Sequence, residues 1–381
     1  MIVLAAVPLA IWIYLLLGRG MFWQMRERDD DCTPRANAER WPAVCIVVPA
    51  RDEADVIGRA VESLLTQDYQ GFFHIVLVDD RSSDGTAEAA RRAALACGMG
   101  DRMEIISGQE RPSGWTGKVW AMRQGFARAQ LFGTPDYLLF TDADIAHTPD
   151  NLRCLVSRAE AGRLVLVSLM AKLHCESFAE KLLIPAFVFF FAMLFPFGWA
   201  NDAARRPAAA AGGCMLVRRD ALAAAGGLEA IAREIIDDCA LARILKRRGP
   251  IWLGLTRRAL SIRPYGGMGE IGRMVARSAF AQLHYSPVLL CGTVAGMVIV
   301  YAAPPLLALF APTPARIMGA VGWLLMGLAY QPMLRFYRLS PLWGAALPAI
   351  GALYAGFTVN SAVQHWRGRG GMWKGRAQAL A

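Results

Sequence analysis

The sequence lacks several patterns that would assign it to a common protein class. Its eight cysteines include no Cys-x-x-Cys pair and no spacing typical of zinc ligands, which excludes a zinc finger or ribbon and predicts reduced, mostly buried thiols. There is no internal repeat and no low-complexity linker, so a solenoid or a disordered array is excluded as well. Negative charge is also scarce, since 31 acidic residues stand against 41 lysines and arginines and leave a formal net charge of +10.

This positive charge does not indicate nucleic-acid binding. The basic residues form no dense stripe, and many flank apolar runs, as Arg19, Arg26 and Arg28 do. Hydrophobic residues make up 55% of the 381 positions, the mean hydropathy is +0.32, and the excess is concentrated at the two ends. We therefore expect an anionic membrane surface and anionic phosphate ligands as partners, and no nucleic acid.

The first apolar run, from Ile2 to Leu17, has no charged residue and is followed by Arg19. It lacks the basic start and the small-residue cleavage site of a signal peptide, so an uncleaved transmembrane anchor over residues 1–18 is the better interpretation. Arginines follow the run and none precede it, which places the next region in the cytoplasm.

Residues from Val44 to Leu169 alternate between short β-rich runs and helical stretches. The predicted strands are Val44–Val48, His74–Val78, Met103–Ile106, Tyr137–Phe140 and Leu164–Ser168, and the predicted helices lie near Ala54–Thr66, Thr86–Cys97, Val119–Gln130 and Asp150–Glu160. This alternation predicts an α/β, Rossmann-like and mainly parallel sheet. Its ligand crevice should lie at the carboxyl ends of the strands.

The most informative motif is Asp142-Ala143-Asp144, directly after the predicted strand Tyr137–Phe140. Two carboxylates at a strand end offer the hard oxygen ligands that suit Mg²⁺ or Mn²⁺ carrying a phosphorylated ligand. The pattern alone is weak, because Asp-x-Asp also marks ordinary turns. Its weight comes from Asp79-Asp80 and Lys118 upstream and from Asp237-Asp238 downstream. Together they predict an enzyme that handles a nucleotide diphosphate.

Lys118 ends the segment Gly114-Trp115-Thr116-Gly117-Lys118 and could add a second positive charge against the same phosphates. The segment is not a Walker P-loop, since its glycine spacing differs and Val119 stands where Ser or Thr is needed. Glycine nevertheless allows the backbone to approach an anion closely, and a helix starting at Val119 would aim its N-terminus there.

The other acidic pairs each allow two interpretations. Asp80 could accept hydrogen bonds from a base or ribose, while Asp84-Gly85 nearby is typical of a turn. Asp237-Asp238 either caps a helix or supplies a general base, Asp238, with Asp237 tuning its charge. Gly212-Gly213 either leaves room for an acceptor or makes a tight turn into a strand.

The phenylalanine-rich run from Leu182 to Ala200 is long enough to cross a membrane. One crossing here would put Asp144 and Asp238 on opposite sides, so we predict a membrane-interfacial segment over residues 182–200 where a lipid acceptor could enter. The alternative is a core helix that is apolar all round.

Three more apolar stretches, near Pro287–Ala311, Ile317–Leu334 and Leu342–Val363, form a predicted transmembrane region over residues 286–364. A basic tail follows over residues 365–381. Three simple crossings would carry this tail outside, against the positive-inside tendency. Pro304-Pro305 is a possible break that turns the first stretch into a hairpin. The number of crossings and the side of the C-terminus stay open.

In order, the segments VVPARDE, VDDRSSDGT, GWTGK, TDAD, GGCMLV and IDDCALA resemble glycosyltransferase family 2 with a GT-A fold, over roughly residues 40–280. The GWTGK variant, the phenylalanine-rich run and the closing Trp373-Lys374-Gly375-Arg376 look most like the hopanoid-associated membrane glycosyltransferases. This resemblance implies an inverting hexosyl- or N-acetylhexosaminyl-transferase in the bacterial inner membrane, multi-pass, with its catalytic domain facing the cytoplasm. A UDP-sugar is the expected donor and a hopanoid or polyisoprenoid lipid the expected acceptor.

The resemblance also implies roles for single residues. The nucleotide pocket would be lined by Pro49, Ala50, Arg51 and Glu53, with Asp80 at the base and Lys118 near the diphosphate. Asp142 would lie near the ribose and metal, Asp144 would be the main metal ligand, and Asp238 would be the base.

The sequence departs from the family where polymerising members carry a Gln- or Arg-x-x-Arg-Trp element. The corresponding stretch, Arg273 to Ser278, has no tryptophan, which favours a single transfer to a lipid, although Arg273 or Arg277 could still reach the diphosphate. A processive polysaccharide synthase and a non-catalytic membrane scaffold are the alternative functions. The sugar, the nucleotide base, the exact lipid and the oligomeric state stay open.

Overall fold

The structure, a computed structural model, describes residues 2–31, 40–373 and 376–377. Cys32, one of the predicted thiols, and Lys374 of the predicted basic tail lie outside the described residues.

The centre of the molecule is an eight-stranded sheet with the order β3-β2-β1-β4-β7-β6-β8-β5. The strands are β1 (Val44–Ala50), β2 (Phe73–Asp79), β3 (Met103–Ser107), β4 (Tyr137–Thr141), β5 (Ile145–His147), β6 (Leu166–Lys172), β7 (Cys214–Arg218) and β8 (Ile251–Ser261), and a separate pair joins β9 (Met372–Trp373) to β10 (Arg376–Ala377). We call residues 40–261 the sheet domain.

Fifteen α-helices surround or extend this sheet within the described residues. They are α1 (Ile2–Leu17), α2 (Ala54–Leu65), α3 (Thr86–Ala96), α4 (Gly117–Ala129), α5 (Asn151–Gly162), α6 (Phe178–Leu194), α7 (Phe197–Asn201), α8 (Arg219–Ala224), α9 (Asp237–Lys246), α10 (Met268–Ala276), α11 (Ala279–Gln282), α12 (Pro287–Met297), α13 (Ala303–Phe310), α14 (Thr313–Phe336) and α15 (Leu347–Trp366). Apolar residues of α2, α3 and α5 cover one face of the sheet, and those of α4, α8 and α9 cover the other.

The first half of the sheet confirms the predicted α/β class. β3, β2, β1 and β4 lie side by side and run parallel, and their bounds differ from the predicted ones by at most two residues. All seven residues of β1 are buried. Helices on both faces explain why such strands read as continuous apolar runs rather than alternating ones.

The second half of the sheet is mixed rather than mainly parallel. β7 runs antiparallel to both β4 and β6, β8 runs parallel to β6, and the three-residue β5 pairs antiparallel with β8. The predicted strand Leu164–Ser168 is observed as β6, Leu166–Lys172. The direction of β7 was not predictable because it depends on a long connection through α6 and α7 rather than on a short crossover helix.

Within the described residues, three segments are long and apolar enough to cross a membrane: Pro287–Phe310, Thr313–Phe336 and Pro341–Trp366. The predicted break at Pro304-Pro305 is wrong, because a π-helical turn, Val298–Ala302, joins α12 to α13 into one continuous segment. The carbonyl of Val300, to which Pro304 has no N–H to donate, accepts a hydrogen bond from Trp12 Nε1 at 2.8 Å. α1 has 16 residues and a length of about 24 Å, somewhat less than the ~30 Å of a bilayer core.

The first two of these segments form a hairpin that leaves the sheet domain and returns to it. The connection between α13 and α14, at Ala311, packs against Ala5 near the start of α1. At the other end of α14, Phe336 lies beneath the guanidinium groups of Arg28 and Arg257. α14 therefore runs from the far end of the helical region back to the sheet domain.

The third segment, Pro341–Trp366, has both of its ends on the side of the sheet domain. It begins close to the end of α14 and runs antiparallel along that helix, away from the sheet domain. At Ala345 its carbonyl accepts a hydrogen bond from Trp323 Nε1, in the middle of α14, at 3.2 Å. α15 then returns, and the Ser361 hydroxyl near its end bonds to α10. Trp323 lies about 20 Å along α14 from Phe336 at 1.5 Å per residue. The segment thus folds as a hairpin whose two ends lie on the side of the sheet domain.

The predicted membrane-interfacial segment, residues 182–200, forms most of α6 together with α7. Nine of the 17 residues of α6 are buried, and the helix packs against α10, α14 and α15. Phe187 and Phe191 are only partly buried, and both face a large cavity described below.

One of the described cysteines differs from the prediction. Cys154 is disulfide-bonded, whereas the other described cysteines carry free thiols: Cys45, Cys97, Cys175, Cys214, Cys239 and Cys291. Spacing along the chain does not reveal which cysteines a fold brings together, which is why the prediction of reduced thiols throughout was wrong here.

Glu180 fixes the start of α6 to the segment that follows β8. Its buried carboxylate accepts hydrogen bonds from the backbone N–H groups of Glu176, Ser177 and Tyr265 at 2.8–2.9 Å and bonds His174 Nδ1 at 2.8 Å. Burial alone would raise the pKa of Glu180, but these donors lower it to about 2.

We expect Glu180→Gln to lower the free energy of unfolding by about 2 kcal/mol. The reason is that the NH₂ group of glutamine would face backbone N–H groups, which then lose their hydrogen-bond acceptor. Thermal unfolding of the full chain in detergent, followed by tryptophan fluorescence, measures the change. Glu176→Gln is the matched control, since its exposed side chain lies outside the network of backbone donors. Equal melting temperatures for the two variants would contradict this assignment.

Candidate active site

A cavity of about 940 Å³ lies where the carboxyl ends of the central strands meet α6, α10 and α15. Its charged lining residues are Glu53, Lys118, Asp142, Asp144, Asp238, Arg263, Glu270, Arg273, Arg277 and Arg369. Asp142, Asp144 and Asp238 therefore contribute to one space, although they lie far apart along the chain.

Lys118 lies at the centre of the acidic groups. Its Nζ is 2.7 Å from Asp142 Oδ1 and 3.7 Å from Asp237 Oδ2. α4 begins at Gly117, two residues before the predicted start, so Lys118 is held in the first turn of the helix. Burial opposes the charge on Lys118, but Asp142 and Asp237 raise its pKa above the ordinary value, and the ammonium group stays charged.

Asp238, in the first turn of α9, accepts hydrogen bonds from two backbone N–H groups. Its Oδ2 accepts a hydrogen bond from Gly212 N at 2.9 Å, and its Oδ1 accepts one from Cys239 N at 2.7 Å. Burial and the neighbouring Asp237 raise the pKa of Asp238 to about 6, against the opposing effect of Lys118 and the two N–H groups. Such a carboxylate can accept and release a proton close to neutral pH.

Gly212 gives Lys118 and Asp238 the space that they occupy. A Cβ atom on Gly212 would lie 3.0 Å from Lys118 Nζ and 3.4 Å from Asp238 Oδ2. The glycine pair also leads directly into β7, as one of the two interpretations of the sequence proposed. The second glycine, Gly213, receives a hydrogen bond on its carbonyl from the Thr141 hydroxyl at the end of β4.

Asp142 and Asp144 follow β4 in the turn that leads into β5. The carbonyl of Asp142 accepts a hydrogen bond from Ile145 N, and the carbonyl of Asp144 accepts one from Ile262 N at 2.9 Å. Their side chains are 35% and 24% exposed in the cavity, so both carboxylates can reach a ligand there.

The two carboxylates fit a divalent cation that also binds phosphate. The described residues contain no group of three or more His, Cys, Asp or Glu side chains arranged to hold a metal ion. Mg²⁺ commonly takes only one or two protein carboxylates and completes its shell with substrate phosphates and water. Asp142 and Asp144 have the oxygen donors for that arrangement.

The predicted nucleotide-pocket residues divide into two groups. Pro49 and Glu53 line the cavity. Behind them, Ala50 is fully buried, and Arg51 Nη1 lies 3.6 Å from the buried carboxylate of Asp80. The structure thus brings these side chains to the ends of β1 and β2 but places neither Ala50, Arg51 nor Asp80 on the cavity wall.

The turn that Asp84-Gly85 predicts is present in the structure. Gly85 has a φ of 88°, a conformation that favours glycine. Asp84 accepts a hydrogen bond from Thr86 N at 3.0 Å, which closes the turn into α3.

Arg263 is a site residue that the sequence reasoning missed. Its guanidinium pairs with Glu53 and lies 3.5 Å from Asp144 Oδ2, so it connects the end of β1 to the turn after β4. The available signal was an arginine two residues after the long β-rich run that forms β8. It was not recognised because the position of β8 beside β5 was not predicted.

The remaining walls are apolar or come from the C-terminal region. Met170, Leu173, Phe187, Phe191 and Met274 form the apolar part, and Asn360, Gln364 and Arg369 come from α15 and the residues after it. Arg273 and Arg277, from the stretch that corresponds to the Gln- or Arg-x-x-Arg-Trp element, also line the cavity.

Comparison with known proteins supports glycosyltransferase family 2. Residues 45–225 match the family model described as glycosyl transferase family 2. The mannosyltransferase PcManGT from Pyrobaculum calidifontis, solved with GDP-Man and Mn²⁺, is 19% identical with a TM-score of 0.56 over 96% of this chain and 98% of its own. That likeness shows a shared fold over nearly the whole chain. No curated protein matches the sequence.

Two further solved structures cover a smaller part of the chain. Glucosyl-3-phosphoglycerate synthase from Mycobacterium tuberculosis, with Mn²⁺ and UDP-glucose, is 20% identical with a TM-score of 0.39 over 63% of this chain and 78% of its own. Mannosyl-3-phosphoglycerate synthase from Rubrobacter xylanophilus is 17% identical with a TM-score of 0.39 over 66% of this chain and 78% of its own.

Because Gly212 packs against Lys118 and Asp238, adding one methyl group at this position should reduce the stability of the protein. Gly212→Ala should lower the free energy of unfolding by about 1–3 kcal/mol, because the added carbon crowds groups that are already packed. Gly213→Ala is the matched control, since its Cβ would make ordinary contacts of 3.4–3.5 Å. Chemical denaturation of both variants gives the comparison, and a Gly213→Ala variant that is the less stable of the two would contradict it.

Proposed function

We propose that this chain, whose residues 45–225 match glycosyltransferase family 2, moves a sugar from a nucleotide-diphosphate sugar to a lipid acceptor in a membrane. The transfer is inverting and non-processive, adds one hexosyl or N-acetylhexosaminyl group, and uses a UDP-sugar and a hopanoid or polyisoprenoid-type lipid. The nucleotide side comprises Pro49, Ala50, Arg51, Glu53, Asp80, Lys118 and Asp142, the metal site comprises Asp142 and Asp144, and the catalytic residues are Asp238 and Asp237.

One observation carries the proposal: the acidic groups and the C-terminal helices share a single cavity. Asp144 and Asp238 line it together with Asn360 and Gln364 of α15, part of a segment apolar enough for a membrane. Phe187 adds to an apolar wall on the same cavity. A lipid could therefore keep its apolar body against that wall while its hydroxyl group reaches the acids.

In this proposal Asp238 acts as the general base. As the acceptor hydroxyl attacks the anomeric carbon, Asp238 takes the hydroxyl proton, the new C–O bond forms, and the bond to the diphosphate breaks on the opposite side with its electron pair going to the phosphate oxygen. Lys118 provides a fixed positive charge beside Asp142 on the leaving-group side. Asp237 raises the pKa of Asp238 and thereby makes it a better proton acceptor.

Asp144 and Asp142 are the residues that would hold Mg²⁺ or Mn²⁺. When bound, the ion would act as a Lewis acid that stabilises the negative charge of the leaving diphosphate. The similar mannosyltransferase was solved with GDP-Man and Mn²⁺, and we extend only the ligand class, a nucleotide sugar with a divalent ion, to this chain.

We further propose that the protein lies in a bacterial inner membrane with its sheet domain in the cytoplasm. Residues 1–18 would be an anchor, residues 40–280 the catalytic domain and residues 286–364 the membrane region. Because Pro341–Trp366 is a re-entrant hairpin, the chain returns to the sheet-domain side, and the basic residues after it, Arg367 and Arg369, would be cytoplasmic. This arrangement agrees with the positive-inside tendency that three full crossings would violate.

If Asp238 is the base, removing its charge should lower the transfer rate and leave donor binding nearly unchanged. Asp238→Asn should lower the transfer rate at least about 100-fold, because general-base catalysis contributes factors of this size. Donor binding with Mn²⁺, measured by calorimetry on the same preparation, should change by less than about threefold. Turnover at the wild-type rate would rule out the assigned base, and loss of donor binding would assign the residue a binding role instead.

The pKa of Asp238 predicts the pH profile of transfer. Only the ionised carboxylate accepts a proton, so kcat/KM should rise with pH through a midpoint near 6 and level off above it. Lys118 lowers the pKa of Asp238, so Lys118→Met should move the midpoint to higher pH. Initial rates between pH 5 and 8 test both statements. A flat wild-type profile, or an unchanged midpoint in the variant, would contradict them.

A further inference from the structure

Four cationic side chains gather at the end of α14 that faces the sheet domain. The guanidinium carbons of Arg28 and Arg257 lie 5.7 and 5.2 Å from the ring centre of Phe336, and Lys172 Nζ lies 5.9 Å from that of Tyr337. Arg338 directly follows these two rings. We call Arg28, Lys172, Arg257 and Arg338 the basic cluster.

The basic cluster has almost no compensating negative charge. Arg28 is 3.9 Å from Asp30, whereas no carboxylate in the described part of the chain lies within ion-pair distance of Lys172, Arg257 or Arg338. Burial is the largest cause that lowers the pKa of Lys172. The charges of Arg257 and Arg338 lower this pKa further, because these cations lie close to Lys172. Like charges held together in this way repel unless an anion joins them.

The C-terminal end of α14 does not provide enough negative charge to balance the cluster. A helix terminus carries roughly half an elementary charge, far less than the three unpaired cations, and this charge is shared with water. Arg257 and Arg338 are exposed, so an anion from outside can reach them.

The depth of the basic cluster identifies the source of that anion. α14 has 24 residues and a length of about 36 Å, which matches a bilayer core with a short extension at each end. Phe336, its last residue, therefore lies at the level of the lipid headgroups on the sheet-domain side. Cations at this level meet the phosphates of the adjacent leaflet.

We propose that the basic cluster is a binding site for the phosphate of an anionic phospholipid in the leaflet next to the sheet domain. The site is separate from sugar transfer, since none of the four residues of the basic cluster lines the cavity that holds the acidic groups. A bound phospholipid would hold β6 and β8 against the membrane surface and keep the cavity at the depth of its acceptor.

Native mass spectrometry of the full chain in detergent tests this site. The probes are phosphatidylglycerol and phosphatidylcholine with the same acyl chains. The wild type should retain phosphatidylglycerol at least about tenfold more tightly than phosphatidylcholine. Raising the salt from 0.1 to 0.5 M should reduce this preference. Equal retention of the two lipids by the wild type would overturn the proposal without reference to any variant.

The triple variant Lys172→Gln, Arg257→Gln, Arg338→Gln should lose most of the preference, because each charge near a membrane surface contributes roughly fivefold. The matched control, Arg92→Gln, Arg247→Gln, Arg248→Gln, removes three exposed cations from the sheet domain and should keep it.

Two additional measurements test why the lipid preference is lost and which anion the site binds. Lys172→Arg with Arg257→Lys and Arg338→Lys keeps the charges and should keep the preference, which distinguishes lost charge from misfolding. Inorganic phosphate at 10 mM should displace little phosphatidylglycerol. Full displacement would identify a site for free phosphate and overturn the lipid assignment, as would an unchanged preference in the triple glutamine variant.

Discussion

The positive charge of Lys118 is the interaction on which the candidate site depends. It lies 2.7 Å from Asp142 and 3.7 Å from Asp237, and so joins the turn after β4 to the start of α9. Without it, carboxylates from distant parts of the chain would repel one another inside a partly enclosed cavity. Gly212 completes the arrangement, because it donates its N–H to Asp238 and has no side chain to separate the lysine from that acid. A ligand that is both negatively charged and metal-bound suits such a balance of charges.

The sequence predicted the half of the fold in which each local signal sufficed. β1, β2 and β4 are buried apolar runs of five to seven residues, each followed by a charged residue, and helices lie between the strands. Parallel strands place their carboxyl ends at one edge, which explains why the sequence alone predicts one site for Asp142, Asp144 and Lys118. Their roles in transfer are still a proposal. The geometry shows only that they share the cavity with Asp238.

The parts that were not predicted depend on contacts between distant segments. The antiparallel direction of β7, the pairing of Arg263 with Glu53 and the disulfide at Cys154 all require knowing which segments become neighbours. The third apolar helix illustrates this limit well, since its length and composition fit a crossing. Only its contacts with Trp323 and α10 show that it enters and leaves on one side. Hydropathy measures the preference of a segment for lipid and contains no information about its path.

The central claim is that a membrane lipid receives the sugar in a cavity formed jointly by the acidic residues and the C-terminal helices. The most direct test incubates membranes containing the full chain with a radiolabelled nucleotide sugar and Mn²⁺, extracts them with organic solvent, and analyses the labelled products by mass spectrometry. The account predicts label in the lipid fraction, with one sugar on each lipid molecule. Label confined to a water-soluble product, or to long chains of sugar, would contradict it.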